Sequence, residues 1–331
     1  MKRAKILGVG RHLPERRVTN FDLEKRFDTS DEWIQQRTGI VERRYADEGV
    51  YCSDLALEAT RNALAQADLK PQELDFIIFA TLSPDHHFPG TGCYLQRKLG
   101  VPEIGCMDIR NQCTGFLYSL AVADAFVRIG MYNRILVVGA EVHSSALDFT
   151  NEGRDVAVLF GDGAGAVVVG PSEDPEHGIL STHLHADGRY ADALRLEIWD
   201  ISKKPYITQS HLDEGRIWPK MKGREVFKVA VTKIPEVVEE ALTANHLTLD
   251  QIALFIPHQA NLRINQFSAA RLGVPEEKFY SNIQRYGNTT AGSIPIALSE
   301  LLEKNAIHQG DYIVLVAFGA GFTWGATLIR W

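Results

Sequence analysis

The 331-residue chain has no run of about 18 apolar residues, so no segment reads as a membrane-crossing helix. Its first residues, Met1-Lys2-Arg3-Ala4-Lys5, are basic, but no long apolar stretch or small-residue cleavage site follows. No secretory signal is expected, and the chain is expected in the cytoplasm. Cysteine is scarce: Cys52, Cys93, Cys106 and Cys113 are all there is, without a C-x-x-C pair or zinc-finger spacing. In a reducing compartment these are free thiols, and each by itself suits core packing. Positive charge is short as well, 35 Lys and Arg against 42 Asp and Glu, for a formal net charge of −7. That balance gives no sign of a nucleic-acid partner. The glycine-rich stretch 160–165 lacks the Lys-Ser/Thr ending of a phosphate loop and reads as a tight turn into a strand. His86 and His87 are adjacent, so on an extended segment their side chains point apart. No carboxylate stands at a matching spacing, and no metal site is expected.

What remains is ordinary for a globular chain: 45% hydrophobic and 23% charged residues. The pattern alternates short β-branched apolar runs with amphipathic stretches, which indicates an α/β chain with sheets buried on both faces. In the first half, strands are expected at 4–10, 75–81, 104–109, 134–141 and 165–170, with helices at 53–68, 91–99 and 116–130. In the second half, strands are expected at 178–185, 252–257, 279–282, 312–318 and 326–330, with helices at 223–245, 261–272 and 293–305. The halves correspond in order. Helix 53–68 before strand 75–81 mirrors helix 223–245 before strand 252–257, and the run from Arg134 mirrors the run from Tyr312. The period is too long for a solenoid and implies a duplication, with units 1–171 and 172–331. Residues 189–222 fit neither half. They mix Trp199, Tyr206 and Trp218 with charges, as a pocket wall or a surface loop would.

Three junctions carry the chemistry. Cys113, in Asn111-Gln112-Cys113-Thr114-Gly115, lies between a strand and a helix, where unpaired amides and the helix dipole favour the thiolate. The same position also suits a buried cysteine in a first helical turn. His258 ends an apolar strand in Phe255-Ile-Pro-His258-Gln-Ala-Asn261, and by itself fits a helix cap. Asn288, in Gly287-Asn288-Thr-Thr-Ala-Gly, also suits a cap. As a set they suit thioester chemistry. Sulfur holds an acyl group, while imidazole and amide donate to the carbonyl oxygen of a second thioester as it becomes an enolate. The stretch from Phe318 to Gly325 is rich in glycine, and its amides suit an oxyanion hole with the N–H of Cys113.

These motifs, together with Ser30-Asp-Glu-Trp33-Ile-Gln-Gln-Arg37 and Phe160-Gly-Asp-Gly-Ala-Gly165, resemble the β-ketoacyl-acyl carrier protein synthase III family of the thiolase superfamily. The likeness spans essentially the whole chain. It implies a five-layered α-β-α-β-α thiolase-like fold and a condensing acyltransferase. It implies Cys113 as the acylated nucleophile, with His258 and Asn288 supporting decarboxylation of a malonyl thioester. The amides of Cys113 and Ala320 would form the oxyanion hole, and Phe322 would shield the site. Trp33, Arg37, Arg154 and Asn261 would bind coenzyme A; Lys228, Arg263 and Arg271 would dock acyl carrier protein. Phe88 would reach the acyl pocket of a second subunit, so a homodimer is implied. Acyl-coenzyme A and malonyl-acyl carrier protein are the expected substrates, and no separate cofactor is expected.

The chain departs from the family at Gly319-Ala320-Gly321, where a glycine triplet is usual. A positive φ at Ala320 would be strained. Gln112 and Thr114 are larger than the usual neighbours of the nucleophile, and 189–222 exceeds the shortest members. The alternatives are polyketide priming or head-to-head condensation, and simple acyl transfer or thioester hydrolysis. No glutamate beside Phe88 is available as the base for condensation without decarboxylation, and no cysteine follows Cys113, which disfavours a thiolase proper.

Overall fold

The computed structural model describes residues 3–331; Met1 and Lys2, part of the basic N-terminal segment, lie outside the described residues. The first sheet contains β1 (Arg3–His12), β2 (Phe76–Ala80), β3 (Gly105–Ile109), β4 (Ile135–Glu141) and β5 (Gly163–Ser172), in the order β1-β5-β4-β2-β3. The second contains β6 (Gly178–Ala186), β7 (Ile252–Pro257), β8 (Tyr312–Gly319) and β9 (Thr323–Arg330), in the order β6-β9-β8-β7. Both sheets follow one pattern. Two antiparallel pairings lead to a parallel one, β5–β4 then β4–β2 in the first sheet and β9–β8 then β8–β7 in the second.

The main helices are α1 (Asp31–Thr38), α2 (Cys52–Gln66), α3 (Thr91–Leu99), α4 (Gly115–Arg128), α5 (Gly223–Ala244), α6 (Leu262–Leu272) and α7 (Ser293–Glu303). Side chains alternate across a strand, and here alternate residues enter different layers. From β4, Ile135 and Val137 join a central core with α4 and α7, while Leu136 and Val138 pack outward against α2. From β8, Ile313, Leu315 and Ala317 face that central core, while Val314, Val316 and Phe318 pack outward with α5 and α6. Strands buried on both faces explain why β4 has no exposed position along its length. The result is helix, sheet, helix, sheet, helix: the five layers expected of a thiolase-like fold.

One expected strand does not form. It is the one expected at residues 279–282. Only Phe279 pairs, in a parallel bridge to Phe255. Beyond it, the Ser281 hydroxyl and the amides of Asn282 and Ile283 donate to Gln259 Oε1, so the chain turns away from the sheet. The short elements between 17 and 44, α1 among them, have too few residues to show a period. Segment 189–222 is mostly turns, closed by a two-residue antiparallel pairing of Lys220–Met221 with Leu194–Arg195.

Candidate active site

Three chain reversals converge on one cavity of about 670 Å³. Cys113, His258 and Asn288 all line it, at 8%, 4% and 5% exposure. Cys113 occupies a single 3-10 turn, Gln112–Thr114, between β3 and α4. Gln112 is held at φ 46°, a left-handed value uncommon for a side chain of its size. The end of β8 presses against Cys113: a Cβ on Gly319 would lie 2.6 Å from Cys113 Cβ. Positive φ falls on Gly321, at 135°, rather than on Ala320, which removes the strain expected there.

Burial pushes the Cys113 thiol up to about 12, and the charge of Glu141 pushes the same way. The amides of Cys113 and Ala320 point at the sulfur and pull it down. The Cys113 sulfur therefore rests as a thiol, because desolvation outweighs the pull of the helix N-terminus. The same two amides are placed to receive an oxyanion on a carbonyl bonded to that sulfur.

His258 follows β7. Burial pushes its imidazole down to about 3, so the ring is neutral. Its Nδ1 lies 2.7 Å from Ser293 Oγ, which also accepts the Gln259 amide at 3.3 Å. Ser293 Oγ can accept that amide and still donate its own proton to Nδ1; in that tautomer the ring proton sits on Nε2, facing the cavity. Nε2 has no protein partner among the described residues. Asn288 is oriented in a comparable way. Its Oδ1 accepts the Thr290 amide at 2.9 Å, which leaves the Nδ2 donors for the cavity. Asn288 follows a helical turn, Ile283–Tyr286, rather than a strand, and is tied to Phe160 by a β-bridge. Beneath it, His143 meets Thr290 Oγ1 at 2.7 Å and is itself held neutral, mainly by burial and then by His258.

The remaining expected residues divide. Trp33, Arg37, Asn261 and Arg263 line the cavity. Arg154 does not line it, yet its guanidinium and that of Arg37 each lie 4.6 Å from the Trp33 ring centroid. Asn261 caps α6 through Oδ1 and donates Nδ2 to Arg37 O, tying α6 to α1. Lys228 is exposed on α5, and Arg271 reaches back to Thr232 on that helix. Phe322 differs from the expectation of a shield: it is fully buried, stacked on Tyr190 and against Phe318, and only Phe318 of the three borders the cavity. Phe88 is 81% exposed on a loop outside the cavity. Leu194 and Met221, within the 189–222 segment read as a pocket wall or a surface loop, also line the cavity, as does Arg224, which no motif marked. Ser293, by contrast, lay inside the motif that contains Asn288.

No group of three or more potential metal-ligating His, Cys, Asp or Glu residues occurs among the described residues, and none of their helices is long and apolar enough to cross a membrane.

Fold and cavity together define a condensing enzyme of the thiolase type. Models of 3-oxoacyl-[acyl-carrier-protein] synthase III match residues 107–188 and, as the C-terminal part, 242–331. Beta-ketoacyl-[acyl-carrier-protein] synthase III of Alkalilimnicola ehrlichii is 46% identical, covering 100% of both chains. That of Geobacillus kaustophilus is 47% identical over 99% of each. The crystal structure of 3-oxoacyl-[acyl-carrier-protein] synthase III from Aquifex aeolicus superposes with a TM-score of 0.90 at 45% identity, covering 99% of this chain and 100% of that one. The chain belongs to the beta-ketoacyl-[acyl-carrier-protein] synthase III family.

Proposed function

We propose that the chain starts fatty acid synthesis by decarboxylative Claisen condensation of an acyl-coenzyme A primer with malonyl-acyl carrier protein. One observation carries this reading: a single cavity holds the Cys113 thiol beside two oriented donors, His258 Nε2–H and Asn288 Nδ2–H. A hydrolase or simple acyltransferase has no use for that second pair of donors.

In the first half-reaction, Cys113 Sγ attacks the primer carbonyl, and the amides of Cys113 and Ala320 stabilise the oxyanion. The carbon–sulfur bond to coenzyme A breaks, and the thiol proton leaves with the coenzyme A sulfur. In the second, the malonyl carboxylate leaves as carbon dioxide. Its bonding electrons pass to the thioester oxygen, held by His258 and Asn288. A neutral imidazole suits this role, because it donates without adding a buried charge. The enolate carbon attacks the acyl-Cys113 carbonyl, the Cys113 sulfur is expelled, and it takes a proton to restore the thiol.

The reading extends outward. Arg37 and Arg154 around Trp33, with Asn261 below, suit the phosphates and adenine of coenzyme A. Arg263 at the mouth, with Lys228 and Arg271 beyond it, suits an acidic carrier protein. Phe88 is assigned to the acyl pocket of a partner subunit, the protein to the cytoplasm, and 1–171 and 172–331 to the two duplicated units. No cofactor beyond the substrates is invoked.

The half-reactions separate by mutation. Asn288→Asp replaces a donor with an acceptor. It is expected to cut carbon dioxide release from malonyl-acyl carrier protein about 100- to 1,000-fold, with acylation of Cys113 changed only a few-fold. Equal losses in both steps would remove Asn288 from the enolate role.

A further inference from the structure

Glu141 ends β4 with no exposure to solvent, and the two half-reactions above do not use it. Its carboxylate is crowded with donors from one short turn. Ser83 Oγ donates at 2.6 Å, the Ser83 amide at 3.1 Å, Thr81 Oγ1 at 3.1 Å and the Leu82 amide at 3.2 Å. Ser83 Oγ in turn accepts the Val142 amide, so the turn after β2 is stitched to the end of β4.

This turn is the first foot of the loop 82–90. Asp85, inside the loop, accepts the amide and hydroxyl of Ser53 at the start of α2. The second foot is gripped by Asp108, which accepts the amides of Thr91 and Gly92. Between these carboxylates the tip is open: His86, His87, Phe88 and Pro89 are all exposed, and His87 stacks on Trp199 at 4.8 Å. An exposed aromatic tip is thus fixed from below by an anchor that is expensive to bury. Burial raises the Glu141 carboxyl to about 7 in spite of its donors. Two loop amides alone are satisfied more cheaply by a neutral acceptor.

The anchor also lies under the catalytic groups. Ala80, next to Thr81, touches Gly115 two residues after Cys113, and Gly139, two residues before Glu141, packs against Ala291 three residues after Asn288.

We propose that Glu141 is a positioning residue: by gripping the first foot of the 82–90 loop it fixes Phe88 and so sets which acyl chains Cys113 of the partner subunit accepts. The inference rests on the reading that Phe88 borders an acyl pocket. Holding the loop in one conformation before the acyl chain arrives removes an ordering cost from binding and gives the pocket a fixed boundary. A loosened loop admits chains that a fixed one refuses.

The test is the rate of Cys113 acylation by a series of straight and branched acyl-coenzyme A thioesters, read by intact mass, for Glu141→Ala, Glu141→Gln, Ser83→Ala and Phe88→Ala. Glu141→Ala is expected to change the kcat/KM ratio between the preferred and a longer primer about tenfold. The change falls mainly on KM, and carbon dioxide release by already acylated enzyme is unaltered. Glu141→Gln, which keeps one accepting oxygen, restores part of the ratio. Ser83→Ala removes one donor, shifts the ratio in the same direction by less, and carries the test if Glu141→Ala does not fold. A uniform slowing of all primers with an unchanged ratio overturns the proposal. If Phe88→Ala alters the ratio and the Glu141 and Ser83 variants do not, the clamp is wrong and the pocket reading stands. If Phe88→Ala also leaves it unaltered, the pocket reading falls and the clamp with it.

Discussion

Cys113 stands at the start of α4, where free amides favour a thiolate, yet burial and the nearby Glu141 charge hold its thiol at about 12. The two effects compete, and desolvation is the larger. The sequence showed the helix junction but not how deep the sulfur lies, and so left its resting ionisation open. Without substrate, alkylation of Cys113 by iodoacetamide is expected to be slow at pH 7 and to climb without a plateau to pH 10. A plateau below pH 8 would mean a resting thiolate. His258 and Asn288 were legible at this scale because each sits in a compact motif. The partners that orient them, Ser293 for the ring and the Thr290 amide for the side chain, required coordinates.

Among elements, β8 shows how closely the site is fitted. Its last residue, Gly319, lies against the Cys113 turn with room for hydrogen only. Gly319→Ala is expected to displace the nucleophile and lower acylation about 100-fold, since a misplacement of about 1 Å costs that much. Alkylation of denatured protein should remain normal, and wild-type acylation rates would contradict the fit. The long periodic helices and buried strands were readable from the sequence because their apolar spacing is strong. The expected strand 279–282 had the right place but not the right length. After Phe279 the Gln259 side chain outcompetes the sheet for the next amides, a long-range contact that no local pattern announces. The surroundings of Phe322 were hidden for a similar reason. The resemblance implied a shield there, and no local pattern announces that packing on Tyr190 and Phe318 buries the ring completely.

Across the whole molecule, duplication brings the strand ends of both halves to one cavity, and the price is two neutral histidines in the interior. His143 and His258 are held down to about 3 from 6.5, mainly by burial. The unfolded chain binds protons between those values that the folded chain refuses. Their contribution is therefore full above about pH 6.5 and lost as pH falls towards 3. Glu141 acts in the opposite sense: its acid is raised from 4.5 to about 7, so its share is present below 4.5 and lost as pH rises through 7. Burial also raises the acids of Asp108, Asp124 and Asp162, in the same sense as Glu141. The ring contribution is therefore read by difference: as pH drops from 6.5 to 4.5, the urea midpoint of the wild type is expected to shift downward relative to that of His143→Gln. Equal pH dependence in the two proteins would show that the His143 ring is not buried neutral. The correspondence of the halves was visible in the sequence as two matched helix-strand successions. The duplication pointed to a meeting of their junctions, but the cavity between them required coordinates, because no local pattern specifies how two sheets face each other.

The measurement that bears most directly on the central claim is a chase of isolated acyl-enzyme. Protein acylated by an acyl-coenzyme A thioester is freed of excess substrate and mixed with malonyl-acyl carrier protein, and intact masses and carbon dioxide are followed together. The account predicts that the mass on Cys113 disappears in step with carbon dioxide release, that the carrier protein gains a 3-oxoacyl group, and that Cys113→Ser never acquires the mass. Discharge of the acyl group to water, with the malonyl group intact, would contradict it.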